Sequence, residues 1–460
     1  MSDYQLIVIG AGPGGYTAAL EAAKLGLHTA VVERREVGGT CLNRGCIPTK
    51  TLLHASQVYR DAVDGSPAGV HAGDITFNLG EMFAYKRAVS EKLRGGIHAL
   101  LKGAKVDLLE GTARIDAPGR VTVAGPEGDT VYTADRILAA TGSVPVRPPI
   151  PGLDLPGVMT SDELLEGSDS LYESLVIMGG GVIGVEFATF YSHLGCRVTL
   201  VEGMANLLPQ LDRELGQNLA QILKKQGVEV LTSAMVRSLE QTGEGLCVHL
   251  EQKGKELIVT GEKVLCAIGR RAYFDGLFAS DLNPALNGKR LLVDEDYRTS
   301  IPGVYAIGDV SAAVQLAHVA AAQGTDCVER MCGGKGSTDL NVIPSCIYSA
   351  PEIAVVGLTE AEAKEQGIPA VTGQCTLFSN ARTIIEDPGR CFMKLVARSD
   401  TREIIGAQLM CQHASDMISQ LSTAMVNHLT ARQLLSVMRP HPSFEEALSE
   451  AVENLTAKLA

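Results

Sequence analysis

Tryptophan is absent from the 460 residues, which leaves near-ultraviolet fluorescence to tyrosine. Basic residues are in deficit. Forty Lys and Arg stand against 53 Asp and Glu, a formal charge of −13, and no basic run is long enough to override it. That balance excludes a nucleic-acid backbone as partner. Long apolar runs are also missing. The amino-terminal stretch Leu6 to Ile9 follows no basic region and is far too short for a leader or a membrane span. The expectation is a soluble, cytoplasmic protein with no membrane partner. Eleven cysteines are present, but they repeat no spacing. Without a leader, a disulfide-stapled secreted scaffold is disfavoured.

What is present points to several domains. The length exceeds one ordinary core and suggests about three domains. Glycine is abundant, 49 residues against a usual ~7%, and it gathers at strand-to-helix turns rather than in linkers. Such turns let a backbone approach phosphates.

The apolar run Leu6–Ile9 reads as a buried parallel strand. It leads into Gly10-Ala11-Gly12-Pro13-Gly14-Gly15 and then into a helical pattern from Tyr16 to Leu25. Glu33 closes the next strand, Thr29 to Val32, eighteen residues after Gly15, where a carboxylate can bond a ribose hydroxyl. Gly10 makes the tight turn, Gly12 admits a pyrophosphate and Gly15 lets helix pack on strand, while the helix amino terminus offers unpaired N–H groups. A second copy lies 169 residues downstream: the strand Leu175–Met178, then Gly179, Gly181 and Gly184, then Glu202 after Val198–Val201. Two copies in the same context imply two bound dinucleotides. Glu202 would accept from a free 2′-hydroxyl and repel a 2′-phosphate, so the second site should prefer NAD to NADP. Arg197 sits at the wrong end of its strand to reverse that preference.

Cys41 and Cys46 follow the first fingerprint closely, a neighbourhood that suggests a redox pair served by a flavin. Free thiols remain an alternative. Zinc is a weaker one, because no further Cys or His pair with short spacing follows, and no metal is expected. Five residues of ideal helix would hold the two Cα atoms ~8.6 Å apart, beyond the ~7 Å a disulfide tolerates. If the two bond, the helix must be distorted between them.

These residues together resemble the pyridine nucleotide–disulfide oxidoreductases with two dinucleotide domains, and within them the branch that oxidises dihydrolipoamide. The resemblance spans essentially the whole chain and rests on the two glycine motifs and on Cys41-Leu42-Asn43-Arg44-Gly45-Cys46-Ile47-Pro48. It rests also on Ala140-Thr141-Gly142, Ala267-Ile268-Gly269-Arg270-Arg271 and Tyr305-Ala306-Ile307-Gly308-Asp309. It implies an α/β fold: two Rossmann-like domains, the FAD domain split around an inserted NAD domain, plus a carboxy-terminal α+β dimerisation domain. The segments would be 1–145 and 270–337 for FAD, 146–269 for NAD and 338–460 for the interface. The proline-rich stretch Val144–Pro151 suits a crossover.

The same resemblance implies the site. Cys41 and Cys46 would form the redox disulfide. Asp309 would hold the flavin's ribityl chain, with Thr141, Gly142 and Ala317 beside the cofactor and Lys50 near its N5. Glu186 and Gly269 would belong to the NAD side. Histidine followed five residues later by a carboxylate, here His441 and Glu446, would form an acid–base dyad serving the disulfide of the other subunit of a homodimer. Ser443, Glu445 and Arg439 depart from the family's usual residues around it. The partner implied is a lipoyl-bearing protein of a 2-oxoacid dehydrogenase or glycine cleavage complex; which complex is not legible. Glutathione reductase is disfavoured because it carries basic residues where Glu202 stands. Mercuric and large thioredoxin reductases need a redox pair near the carboxy terminus, whereas the last cysteine is Cys411. Soluble transhydrogenase relatives lack the pair. A non-catalytic flavin scaffold or redox sensor would have lost one of these elements, and none is lost.

Overall fold

The structure is a computed structural model, and it describes residues 2–65, 68–168, 170–243, 245–386 and 389–459. Met1 and Ala460, the outer bounds expected for the first and last domains, lie outside the described residues.

Leu6, Ile7, Val8 and Ile9 are buried without alternation in β1 (Tyr4–Ile9), because a parallel strand is covered on both faces. β2 (Thr29–Glu33) and then β3 (Asp107–Glu110) extend the sheet on one side of β1. On the other side lies the second half of β6 (Gly128–Ala139), and beyond it Val304–Ala306, a strand from far downstream. The first half of β6 turns antiparallel onto β5 (Arg120–Gly125), which pairs β4 (Thr112–Ala117). Helix α1 (Pro13–Lys24) begins three residues earlier than its apolar period. Pro13 lacks the N–H that a first turn leaves unpaired anyway, so it starts the helix without penalty.

The plan recurs downstream. Glu229–Leu231, Arg197–Val201, Ser174–Met178, Lys263–Cys266 and Val158–Met159 form a parallel sheet in that order. Ala234–Thr242, Gly245–Gln252 and Lys255–Gly261 form its antiparallel companion. A small ribbon pairs Ser143–Pro145 with Arg270–Ala272.

The third unit is an antiparallel sheet of Ser345–Ile347, Ile353–Gly357, Ile404–Met410, Phe392–Arg398 and Ala370–Thr376. Alternation along Phe392–Arg398 sends Met393, Leu395 and Ala397 into a core with helices Ala414–Val426 and Glu446–Ala457. Phe392 and, from the neighbouring strands, Ile353 and Met410 point the other way and share a core with Leu207, Leu215 and Leu219 of the second nucleotide unit. The architecture is thus the expected one, two dinucleotide folds and an α+β third domain. Among the described residues no helix is long and apolar enough to cross a membrane.

Candidate active site

Both glycine loops are shaped by close backbone approach. Gly10 adopts φ +103°, and a Cβ there would lie 2.5 Å from the Ala140 carbonyl oxygen; one on Gly15 would lie 1.8 Å from that of Gly10. Gly179 and Gly184 repeat this at 2.5 Å from Ala267 and 1.9 Å from Gly179. At the middle glycines the space is open. Nothing lies nearer than 3.9 Å to a Cβ on Gly12, or within 4 Å of one on Gly181. Each of those two precedes a helix start, at Pro13 and Val182, that no side chain caps. A diphosphate brought there would meet bare N–H groups and the positive end of a helix.

Glu33 and Glu202 do more than the sequence suggested. Glu33 accepts the Ala11 and Arg35 N–H groups at 2.8 and 2.9 Å, and Glu202 accepts those of Gly180 and Met204 at 2.6 Å each. Each acid therefore clamps its own glycine turn.

From Gly12 and Glu33 one cleft of about 710 Å³ runs past Cys41, Cys46 and Lys50 to Asp309 and Ala317. Thr141, Gly142 and Glu186 also line it. Asp309 sits in a single 3₁₀ turn, Gly308–Val310, where Ser143 donates to it at 2.5 Å. Arg270 holds Ser143 in turn, through Nε to its hydroxyl at 2.9 Å and through Nη2 to its carbonyl at 2.7 Å. Burial pushes the Asp309 carboxyl up, while Ser143 and Arg270 pull against it. Ala317 opens the helix Ala317–Met331. Gly269, at φ +130°, accepts the Val146 N–H at 3.0 Å and does not line the cleft.

The dithiol sits where the helix breaks. Helix α2 (Gly39–Arg44) carries Cys41, Gly45 turns the chain at φ −153°, ψ −115°, and α3 (Cys46–Asp64) begins with the second cysteine. A distortion is expected between the two if they bond, and the helix breaks there with both cysteines free. Both are free thiols here, hydrogen-bonded to each other. The bond from Cys41, aided by the Lys50 charge and opposed by burial and Glu186, brings Cys46 down to about 7. Cys41 is pushed up by that same bond and by burial. Of the two thiols, Cys46 is the more acidic.

Lys50 donates to both Glu186 oxygens at 2.8 Å, and Glu186 also accepts the Tyr348 N–H at 3.1 Å. Burial works against the Lys50 charge, but Glu186 outweighs it and the pKa rises. The ammonium stands 4.7 Å from the Tyr348 ring centroid.

His441 and Glu446 meet as expected, Nδ1 to Oε1 at 2.8 Å. The other carboxylate oxygen accepts the Ser443 N–H at 2.9 Å, and these two bonds hold Glu446 below the usual carboxylate range. Of the unusual neighbours, Glu445 is turned to Gln420 at 3.1 Å and Arg439 to Ser449 at 2.7 Å. Neither is hydrogen-bonded to the imidazole. His441 is 74% exposed and neither dyad residue lines the cleft of its own chain.

The pyridine nucleotide-disulphide oxidoreductase model matches residues 4–324, and the dimerisation domain of the same group matches 343–452. The chain belongs to the pyridine nucleotide-disulphide oxidoreductase family. Dihydrolipoyl dehydrogenase of Bacillus subtilis (strain 168) is 36% identical over 98% of this chain and 97% of its own. That of Geobacillus stearothermophilus is 35% identical over 98% and 96%. Among solved structures, LpdA from Mycobacterium tuberculosis aligns with TM-score 0.89 and 29% identity, over 98% of this chain and 99% of that one. The HOCl-induced flavoprotein disulfide reductase RclA from Escherichia coli aligns with TM-score 0.85 and 29% identity, over 99% of each.

As a pyridine nucleotide-disulphide oxidoreductase the protein is an enzyme that uses FAD and NAD(H). The open space at Gly12 and at Gly181 fits two such cofactors; the cleft itself is lined by Gly10, Gly12 and Glu33 and by none of Gly179, Gly181, Gly184 and Glu202. The matched dimerisation domain supports a homodimer. Tyr348, Ser143 and Arg270 were not singled out from the sequence. Tyr348 lies 162 positions from Glu186 and carries no local signal, while Arg270 stood inside a quoted motif without a role. Of the other cysteines, Cys196, Cys266, Cys327, Cys375, Cys391 and Cys411 are buried and burial raises their thiols, which makes them inert.

Proposed function

We propose that the protein is a cytoplasmic, homodimeric dihydrolipoamide dehydrogenase that reoxidises a dihydrolipoyl dithiol carried by another protein, as part of a 2-oxoacid dehydrogenase or glycine cleavage complex, with NAD⁺ as final acceptor. The observation that carries this reading is the thiol pair Cys41 and Cys46, placed on either side of a helix break inside the cleft with Lys50 beside them. In this reading Gly10, Gly12, Gly15, Glu33, Lys50, Thr141, Gly142, Asp309 and Ala317 hold FAD. Gly179, Gly181, Gly184, Glu186, Glu202 and Gly269 serve NAD.

The cycle starts from the Cys41–Cys46 disulfide. His441 of the partner subunit takes the proton of one substrate thiol while Glu446 of the partner subunit orients its ring, and the substrate thiolate attacks Cys41. Cys46 leaves as thiolate, the easier departure because its thiol is the more acidic. The second substrate thiol then attacks the first substrate sulfur and displaces Cys41, which takes the proton already held by His441 of the partner subunit, and the imidazole so freed accepts the proton of the second thiol. The cyclic disulfide departs with two electrons fewer. FAD, when bound, supplies the two-electron relay from Cys46 to NAD⁺ that restores the enzyme disulfide. Lys50 stabilises negative charge beside that relay.

The test is an anaerobic addition of one equivalent of dihydrolipoamide to the yellow protein, followed by NAD⁺. A long-wavelength band from the Cys46 thiolate, discharged by NAD⁺ with formation of NADH, is the expected result. An unchanged spectrum would overturn the substrate. Reduction by NADPH alone would then favour a different disulfide reductase.

A further inference from the structure

The loop that follows Glu202 wraps the second glycine fingerprint. Leu208 donates its N–H to the Gly180 carbonyl at 2.9 Å, and Leu207 packs so closely on Gly180 that a Cβ there would lie 2.5 Å from its side chain. Gly216 of the helix Arg213–Lys225 is pressed as tightly on the Leu207 carbonyl, at 2.0 Å for a Cβ. Asp212 ends the loop and caps that helix, one oxygen accepting the Glu214 N–H at 2.9 Å. Its other oxygen meets Lys394 at 2.9 Å, and Lys394 also meets Glu214 at 2.8 Å. Lys394 belongs to the third domain, on the strand Phe392–Arg398, and is only 13% exposed. Gln374, its cross-strand partner, donates to Glu214 at 2.9 Å.

We propose that Lys394 is a positioning residue for the pyridine nucleotide. From the dimerisation domain it fixes Asp212, and through loop 203–212 it holds Gly180 and Glu202 in the form that receives the dinucleotide. The inference rests on the reading of the second fingerprint as the NAD site, but not on the identity of the dithiol. One cation and two carboxylates, with Lys394 and Asp212 largely out of solvent and Glu214 37% exposed, make a junction that one substitution disrupts while the apolar core that Phe392 and Met410 share with Leu215 and Leu219 remains.

The experiment uses the FAD-loaded dimer of Lys394→Met and Lys394→Arg beside wild type. Calorimetry reads the Kd for NAD⁺, and hydrogen–deuterium exchange reads the backbone of 203–212. Couplings of this kind correspond to about a 3- to 30-fold weakening of NAD⁺ binding. In Lys394→Met that loss is expected together with faster exchange in the loop, while dihydrolipoamide reduces the enzyme at the wild-type rate. Lys394→Arg restores the Kd. An unchanged Kd, a dithiol step that falls in parallel, or failure of arginine to restore would each overturn the proposal. Should Lys394→Met not yield a folded holoprotein, Glu214→Gln must weaken NAD⁺ in the same direction, and an unaltered Kd there also overturns it. A wild-type protein that dihydrolipoamide cannot reduce, yet that binds NAD⁺ in this Lys394-dependent way, would defeat the substrate reading and support this one.

Discussion

Replacing Lys50 by methionine keeps most of the side chain's length and removes its charge. Glu186 would then be left 4% exposed with one backbone donor, the Tyr348 N–H at 3.1 Å, in place of the bidentate ammonium. Stranding a buried charge in this way costs about 3–5 kcal/mol. The double variant Lys50→Met/Glu186→Leu removes the stranded charge, and pairs exchanged for apolar groups are often neutral. It should therefore recover about 2 kcal/mol or more of the loss. Guanidinium unfolding of the FAD-loaded proteins, followed by circular dichroism, measures both. The pH dependence supplies a sign. Lys50 has a raised pKa in the folded protein, so its contribution is complete below the ordinary lysine value of 10.5 and is lost as pH rises through the folded value. On the alkaline side the gap between wild type and Lys50→Met should narrow only above pH 10.5. A double variant no more stable than Lys50→Met, or a gap already lost on raising the pH from about 8 to about 10, would refute the account.

Other consequences are as direct. In the anaerobically reduced protein, alkylation of Cys46 by iodoacetamide should rise with a midpoint near pH 7, and Cys41→Ala should move it upward by removing the donor; a stationary midpoint would show that Cys41 is not the cause. Substitution of His441 by glutamine should slow dithiol turnover ~10²–10⁴-fold while NADH still reduces a dye acceptor, because a positioned base acts only on the thiol half. Gly15→Ala places a methyl 1.8 Å from a backbone oxygen and should not yield folded protein. Gly12→Ala meets nothing nearer than 3.9 Å and should fold yet bind FAD weakly, which flavin content after purification will reveal.

The nucleotide folds were legible because their signals are local. Leu6–Ile9 and Leu175–Met178 announce buried strands, and the glycines and acids follow at fixed offsets that chain sterics impose. The break at Gly45 could be expected in advance if the two cysteines bond, since a continuous helix keeps five-residue neighbours too far apart. What stayed hidden depends on side chains brought together across long separations. Arg270 meets Ser143 across 127 positions, Ser143 meets Asp309 across 166, and Lys394 meets Asp212 across 182. No period or spacing encodes such meetings. The clamp function of Glu33 and Glu202 was hidden differently, because a ribose-binding role accounts for an acid at that offset and leaves nothing to explain.

The turn at Gly45 also bears on how the disulfide closes. The backbone is already bent while both cysteines are thiols, with the sulfurs in hydrogen-bonding contact. Closing the disulfide therefore asks for no helix to melt, and opening it lets none re-form. The bend that a bonded pair requires is a property of the reduced chain itself, present before the two sulfurs join.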